Sequence, residues 1–125
     1  DCAFTSAKEV FTSVLKTTYH MPAFPLMDLS DRMAKKEAGY GLDECNARDE
    51  VKKAKIPMLF IHGSKDTFVP CSMVHELYEA CAAPKDLLII EGASHAEAYY
   101  KDRPAYEAAV RKLMERAFTK GVCEE

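Results

Sequence analysis

Two short apolar runs decide what this chain can fold into. Ile56-Pro-Met-Leu-Phe-Ile61 and Leu87-Leu-Ile-Ile90 have no polar residue at alternate positions, so neither reads as a strand with one wet face. Both read as strands covered on two sides. Pro57 is tolerable at the opening of its run, where no ladder N–H is required. Between the runs, Val74, Leu77, Tyr78 and Cys81 fall at helical spacing, which predicts an amphipathic helix over 72–83 that ends before Pro84. Strand, helix and uninterrupted apolar strand together predict the α/β class with parallel strands.

The flanks are helical. Ser6-Ala-Lys-Glu9 is a capping-box pattern, and Val10, Phe11, Val14 and Leu15 continue it at helical spacing, so a helix is expected over 6–20, stopped by Pro22 and Pro25. Residues 21–27 are too apolar for a solvated loop and too rich in proline for regular structure. A second helix is expected from Leu29 to Ala38, closed by Gly39, and a brief third over 47–53, capped by Asn46. Asp102 is expected to cap a last helix with Tyr106, Ala109, Val110, Leu113 and Ala117 on its buried stripe and Gly121 as its stop. Two strands are too few, because a sheet covered on both faces normally has about five or six. The chain also opens at Asp1 without an initiator Met. The missing strands are therefore expected either from copies of the chain or from a preceding part of a longer protein.

Composition narrows the function classes. The 125 residues (14.0 kDa) are room for one domain, and 17 Lys and Arg against 20 Asp and Glu leave a net charge of -3. That balance argues against nucleic acid and anionic membrane surfaces as partners. No apolar run is long enough for a membrane segment. Cys2, Cys45, Cys71, Cys81 and Cys123 contain no Cys-x-x-Cys pair, and His20, His62, His75 and His95 show no metal-ligand spacing. The expectation is no metal, no cofactor, and reduced, mostly buried thiols in a reducing, cytoplasmic compartment.

The chemistry is carried by Asp66 and His95. Each follows a predicted strand directly, with 29 positions between them. Parallel strands release such loops at one carboxyl edge, so an acid and an imidazole are expected side by side. An Asp that accepts the His N–H fixes the tautomer and frees the other ring nitrogen as a base. At these residues the sequence becomes familiar. The run from Ile56 through His62-Gly63-Ser-Lys-Asp66 to Val69-Pro70, followed by Glu91-Gly-Ala-Ser-His95, resembles the C-terminal part of an α/β-hydrolase fold serine hydrolase. The resemblance implies Asp66 as triad acid and His95 as triad base. It also implies residues 7–55 as a helical lid-like cap, residues 56–125 as the strand–helix–strand–helix core, and a carboxylic ester or similar small acyl compound as substrate. The opening Asp1-Cys-Ala-Phe-Thr-Ser looks like the segment after the sixth strand of that fold.

One part of the family pattern is absent. The fold places its nucleophile in a Gly-x-Ser-x-Gly turn ahead of the acid, and no such turn precedes Asp66. The chain is therefore expected to be the last part of an enzyme, inactive by itself, with its unfinished sheet paired to the missing N-terminal half or to a second copy. Gly92-Ala-Ser94-His95-Ala96 superficially fits a nucleophile turn, but no acid and base follow it. Cys71, at the start of a helix, raises an alternative: a thioredoxin-like redox thiol whose pKa the helix lowers. A third alternative is a non-catalytic interaction module with Asp66 and His95 as a structural pair. His62 is expected to be structural, and Phe24, Phe68 and Tyr99 are candidate substrate-pocket residues.

Overall fold

Met58–Gly63 (β1) and Lys85–Ile90 (β2) pair in parallel, from Met58 opposite Lys85 to Gly63 opposite Ile90, in a computed structural model that describes residues 1–44 and 46–119. The first strand begins two residues later than the apolar run. Pro57 has no N–H to give, and the ladder starts where the Met58 N–H donates to the Pro84 carbonyl at 2.9 Å. Ile56 is thereby left outside, 73% exposed. The strand instead runs on through His62 and Gly63, while β2 begins two residues early, with Lys85 opposite Met58.

Alternation along the strands sorts side chains to two faces. Phe60, with Leu87 and Ile89, packs against Val74, Leu77 and Cys81 of the crossover helix Cys71–Ala80 (α4) and its end. Val51, from the short helix Ala47–Val51 (α3), closes that side. Leu59, Ile61, Leu88 and Ile90 face the other way, onto Ala98 of Ala98–Lys101 (α5) and Ala105, Tyr106 and Val110 of Arg103–Thr119 (α6). Asp102 caps α6 as its sequence requires, accepting the Ala105 N–H at 3.1 Å. The stripe is half-buried only as far as Leu113; Ala117 is exposed, and Gly121 lies outside the described residues.

The N-terminal helices sit beside this unit. Ala7–Thr17 (α1) is capped by the Ser6 hydroxyl, which accepts the Glu9 N–H at 3.2 Å. Its buried residue, Val10, packs with Val69 and Met73. Leu26–Ala38 (α2) starts three residues before the expected Leu29, directly behind Pro25. A proline at a helix entrance sacrifices nothing, since first-turn N–H groups have no intrahelical acceptor. At the far end Gly39 takes the left-handed conformation (φ 83°) that closes the helix. Arg48 of α3 ties α1 to α4, reaching Glu9 at 2.8 Å and Glu76 at 3.1 Å. Glu9 also accepts the buried Thr5 hydroxyl, and this bond, then Arg48, holds its carboxyl below the ordinary range. Of the described thiols Cys81 is buried, whereas Cys2 and Cys71 are half-buried, so burial is less complete than expected; Cys45 and Cys123 lie outside the described residues.

Candidate active site

The loops leaving β1 and β2 are laced together. Ser64 N–H donates to Ile90 O at 3.0 Å, Lys65 N–H to Ala93 O at 2.9 Å, and Gly92 N–H to the Ser64 hydroxyl at 2.9 Å. Gly63 permits this closeness, because a Cβ there would lie 2.3 Å from the Ala93 carbonyl oxygen. The lacing carries Asp66 and His95 to one point. His95 Nδ1 lies 2.8 Å from Asp66 Oδ2, and a carboxylate can only accept, so Nδ1 carries the proton. The other carboxylate oxygen, Oδ1, accepts the N–H groups of Phe68 at 2.9 Å and Val69 at 2.8 Å. The acid side chain is wholly out of water, whereas the imidazole is 41% exposed and leaves Nε2 without a recorded partner among the described residues.

Other expected site residues fall at different distances from this pair. The Phe68 ring leans on the His95 ring, with centroids 5.0 Å apart. Tyr99 packs edge-on against Tyr100 and Tyr106 at the α5–α6 junction. Phe24 is 74% exposed, just ahead of α2. His62 is completely buried; its Nε2 donates to the Val69 carbonyl at 2.9 Å and stands 3.4 Å from Asp66 Oδ2, so it braces the acid loop from behind. Ser94 is exposed, and its N–H and C=O both engage Glu97, which makes it part of a turn. Burial and then the Asp66 charge push the Cys71 thiol above its ordinary pKa. That is the opposite of what a reactive thiolate needs: burial first, and then the nearby carboxylate, outweigh the helix start.

One neighbour of the pair was invisible from spacing. The Cys2 N–H donates to the Ile61 carbonyl at 3.0 Å, and its sulfur accepts the Ala96 N–H at 3.2 Å. Cys2 thus lies between the end of β1 and the His95 loop, with Sγ within 4.8 Å of donor atoms of His62 and Asp66. A Cys 56 positions ahead of the start of β1 carries no local signal of such a place.

A parallel strand–helix–strand unit with an acid and an imidazole at its carboxyl edge is the α/β-hydrolase arrangement, here its C-terminal portion with flanking helices. A family model for serine hydrolases, FSH1, matches residues 9–96. The chain belongs to that serine hydrolase family. It is 33% identical over 115 residues to the uncharacterized protein YqkD of Bacillus subtilis (strain 168), covering 92% of this chain and 38% of YqkD. Among solved structures it is similar to the Pyrococcus furiosus esterase PF2001, with a TM-score of 0.61 and 17% identity over 90% of this chain and 42% of that one. A thermophilic esterase of Thermogutta terrifontis, Est2 with propionate bound, gives a TM-score of 0.46 and 20% identity over 80% of this chain and 37% of that one. The chain thus spans about two fifths of the length of the proteins it matches. Among the described residues no helix is long and apolar enough to cross a membrane.

Proposed function

We propose that this chain is the C-terminal part of a serine hydrolase that cleaves carboxylic esters or similar acyl bonds through a Ser-His-Asp triad, with Asp66 and His95 as acid and base and the Ser supplied upstream. The observation that carries this reading is the 2.8 Å bond from His95 Nδ1 to a carboxylate withdrawn from water, on a ring whose far side meets solvent. In the mechanism the Ser hydroxyl attacks the acyl carbon while His95 Nε2 takes its proton. That proton passes to the leaving alcohol as its C–O bond breaks, and water repeats the sequence to free the acid. The Phe68 and Val69 amides hold one oxygen of Asp66 in place, and the other faces the imidazolium as it forms.

Residues 7–55 serve in this reading as a cap. An apolar groove of about 470 Å3 between α1 and α2, walled by Phe11, Val14, Leu15, Tyr19, Leu26 and Met27, suits the acyl portion of the substrate. Phe68, against the His95 ring, borders the reacting carbon. The free thiols of Cys2, Cys71 and Cys81 fit a reducing, cytoplasmic setting.

The separating experiment is labelling with a fluorophosphonate, which requires an activated serine. The 125-residue chain stays unlabelled and turns over no short-chain ester, while the longer hydrolase is labelled on a serine upstream of Asp1. Labelling of this chain that vanishes in Ser94→Ala would transfer the nucleophile to the His loop and end the proposal. The same incompleteness predicts association. Among the described residues β1 and β2 pair as strands only with each other, and the outer edge of β1 is met by the Cys2 N–H at Ile61, so most of the two edges stays unpaired. Sedimentation at micromolar concentration is expected to give a dimer or larger species, and a stable 14.0 kDa monomer would count against missing strands.

A further inference from the structure

We propose that Cys2, His62 and Asp66 form a binding site for a thiophilic divalent cation of the zinc class, and that the bound ion competes with His95 for Asp66. The effect on hydrolysis rests on the function proposed above; the binding does not. A ring nitrogen of His62, the Cys2 sulfur and a carboxylate oxygen of Asp66 lie within 4.8 Å of one another. Thiolate, imidazole and carboxylate are the donors that zinc takes, at about 2.0–2.3 Å each, so the three need to draw inward by roughly an ångström.

Each donor is prepared for the role by its surroundings. His62 is wholly buried, and a carbonyl can only accept, so the 2.9 Å contact with Val69 O puts its proton on Nε2. Nδ1 then holds an unprotonated lone pair that has no partner. The nitrogen beside the acid is Nε2, 3.4 Å from Asp66 Oδ2, so an ion taken there displaces the Val69 bond and the ring proton shifts to Nδ1. The Cys2 sulfur accepts the Ala96 N–H at 3.2 Å and its thiol proton is shared with Asp1 Oδ1 at 3.2 Å, which fixes the sulfur between the two. Binding forms the sulfur–metal bond and releases that proton to solvent. On Asp66, Oδ1 is committed to two backbone amides, so Oδ2 is the oxygen an ion would take. Oδ2 is also the oxygen that holds His95. Occupation therefore removes the orienting partner of the imidazole, a reversible brake on the pair.

The test is titration of the chain with Co2+, whose thiolate complexes absorb by sulfur-to-metal charge transfer, followed by displacement with Zn2+. The wild-type chain is expected to develop the band and lose it to zinc. Cys2→Ala abolishes it, weakening binding beyond the roughly 10–100-fold that loss of an outer-shell partner causes, while Cys71→Ser keeps it. His95→Ala should tighten binding by about tenfold, since it removes the competitor for Oδ2, a hydrogen bond to a charged group. No band in the wild type, a band that persists in Cys2→Ala, or unchanged affinity in His95→Ala would each overturn the proposal. Circular dichroism of Cys2→Ala and Cys2→Ser separates loss of a ligand from loss of fold: if both keep the wild-type spectrum and only the band is gone, the site stands. Because the readout is cobalt absorption, an error in the hydrolase assignment leaves it untouched.

Discussion

Asp66→Asn in the serine hydrolase proposed above is expected to lower kcat by about four orders of magnitude with little change in KM. The reason lies in how the two carboxylate oxygens divide their work. The Phe68 and Val69 amides hold Oδ1 and would hold the carboxamide oxygen in the same place. The carboxamide nitrogen then takes the position of Oδ2 and offers a proton to His95 Nδ1 where a proton was formerly accepted. The ring must answer by carrying its own proton on Nε2, the nitrogen that should receive the one from serine. The same change leaves two donors facing each other across the 3.4 Å between position 66 and His62 Nε2, so some loss of stability accompanies it. His95→Ala removes the base itself and should cost on the order of 10⁶-fold in kcat. Steady-state kinetics on a soluble ester, with burst measurements to separate acylation, decide both. Near-full activity in Asp66→Asn would mean that the orienting carboxylate comes from elsewhere, and Asp1, beside Cys2, would be the next to replace.

The sequence carried the centre of this arrangement and lost its margins, for identifiable reasons. Both strands, the crossover helix and the meeting of Asp66 with His95 follow from apolar runs and from the rule that parallel strands open their loops at one edge. Strand ends were displaced by two residues because hydrophobicity marks burial, whereas the ladder starts where an N–H is available, at Met58 and not at Pro57. The early start of α2 was hidden by reading Pro22 and Pro25 as breakers, although proline at an entrance breaks nothing. The shortfall of the α6 stripe beyond Leu113 has a different source. Periodicity reports which face of a helix is apolar, not how far a neighbour extends along it. Cys2 shows the limit most clearly, since its partners Ile61 and Ala96 are brought to it by sheet topology alone. The Cys71 alternative loses its support for a related reason: a helix start can be seen in the sequence, but the burial of the thiol and the carboxylate near it cannot.

Gly63→Ala should disable the site without touching either of its chemical groups. Gly63 ends β1 opposite Ile90, and no unusual backbone angle requires glycine there; the requirement is space. A methyl group would sit 2.3 Å from the Ala93 carbonyl oxygen and 2.8 Å from both the Ala93 carbonyl carbon and the Ser94 oxygen. These are backbone atoms, so no rotamer change relieves the overlap. Either β1 shifts or the loop that carries His95 lifts away. The loop is the weaker party, because β1 is held along its whole length by β2 and packed on both faces, whereas residues 92–97 are held by a few bonds to Ser64, Lys65 and Cys2. Lifting it breaks the Lys65-to-Ala93 bond and draws His95 away from Asp66. A displacement of about 1 Å at a catalytic group costs about 10²-fold, so kcat should fall at least that far. Overpacking of a buried site should lower stability by about 1–3 kcal/mol, seen as a reduced urea midpoint with an unchanged slope. The two readouts separate the causes. A fall in stability with full activity would show that the strain is absorbed within the sheet, and that the spacing of acid and base does not depend on this glycine.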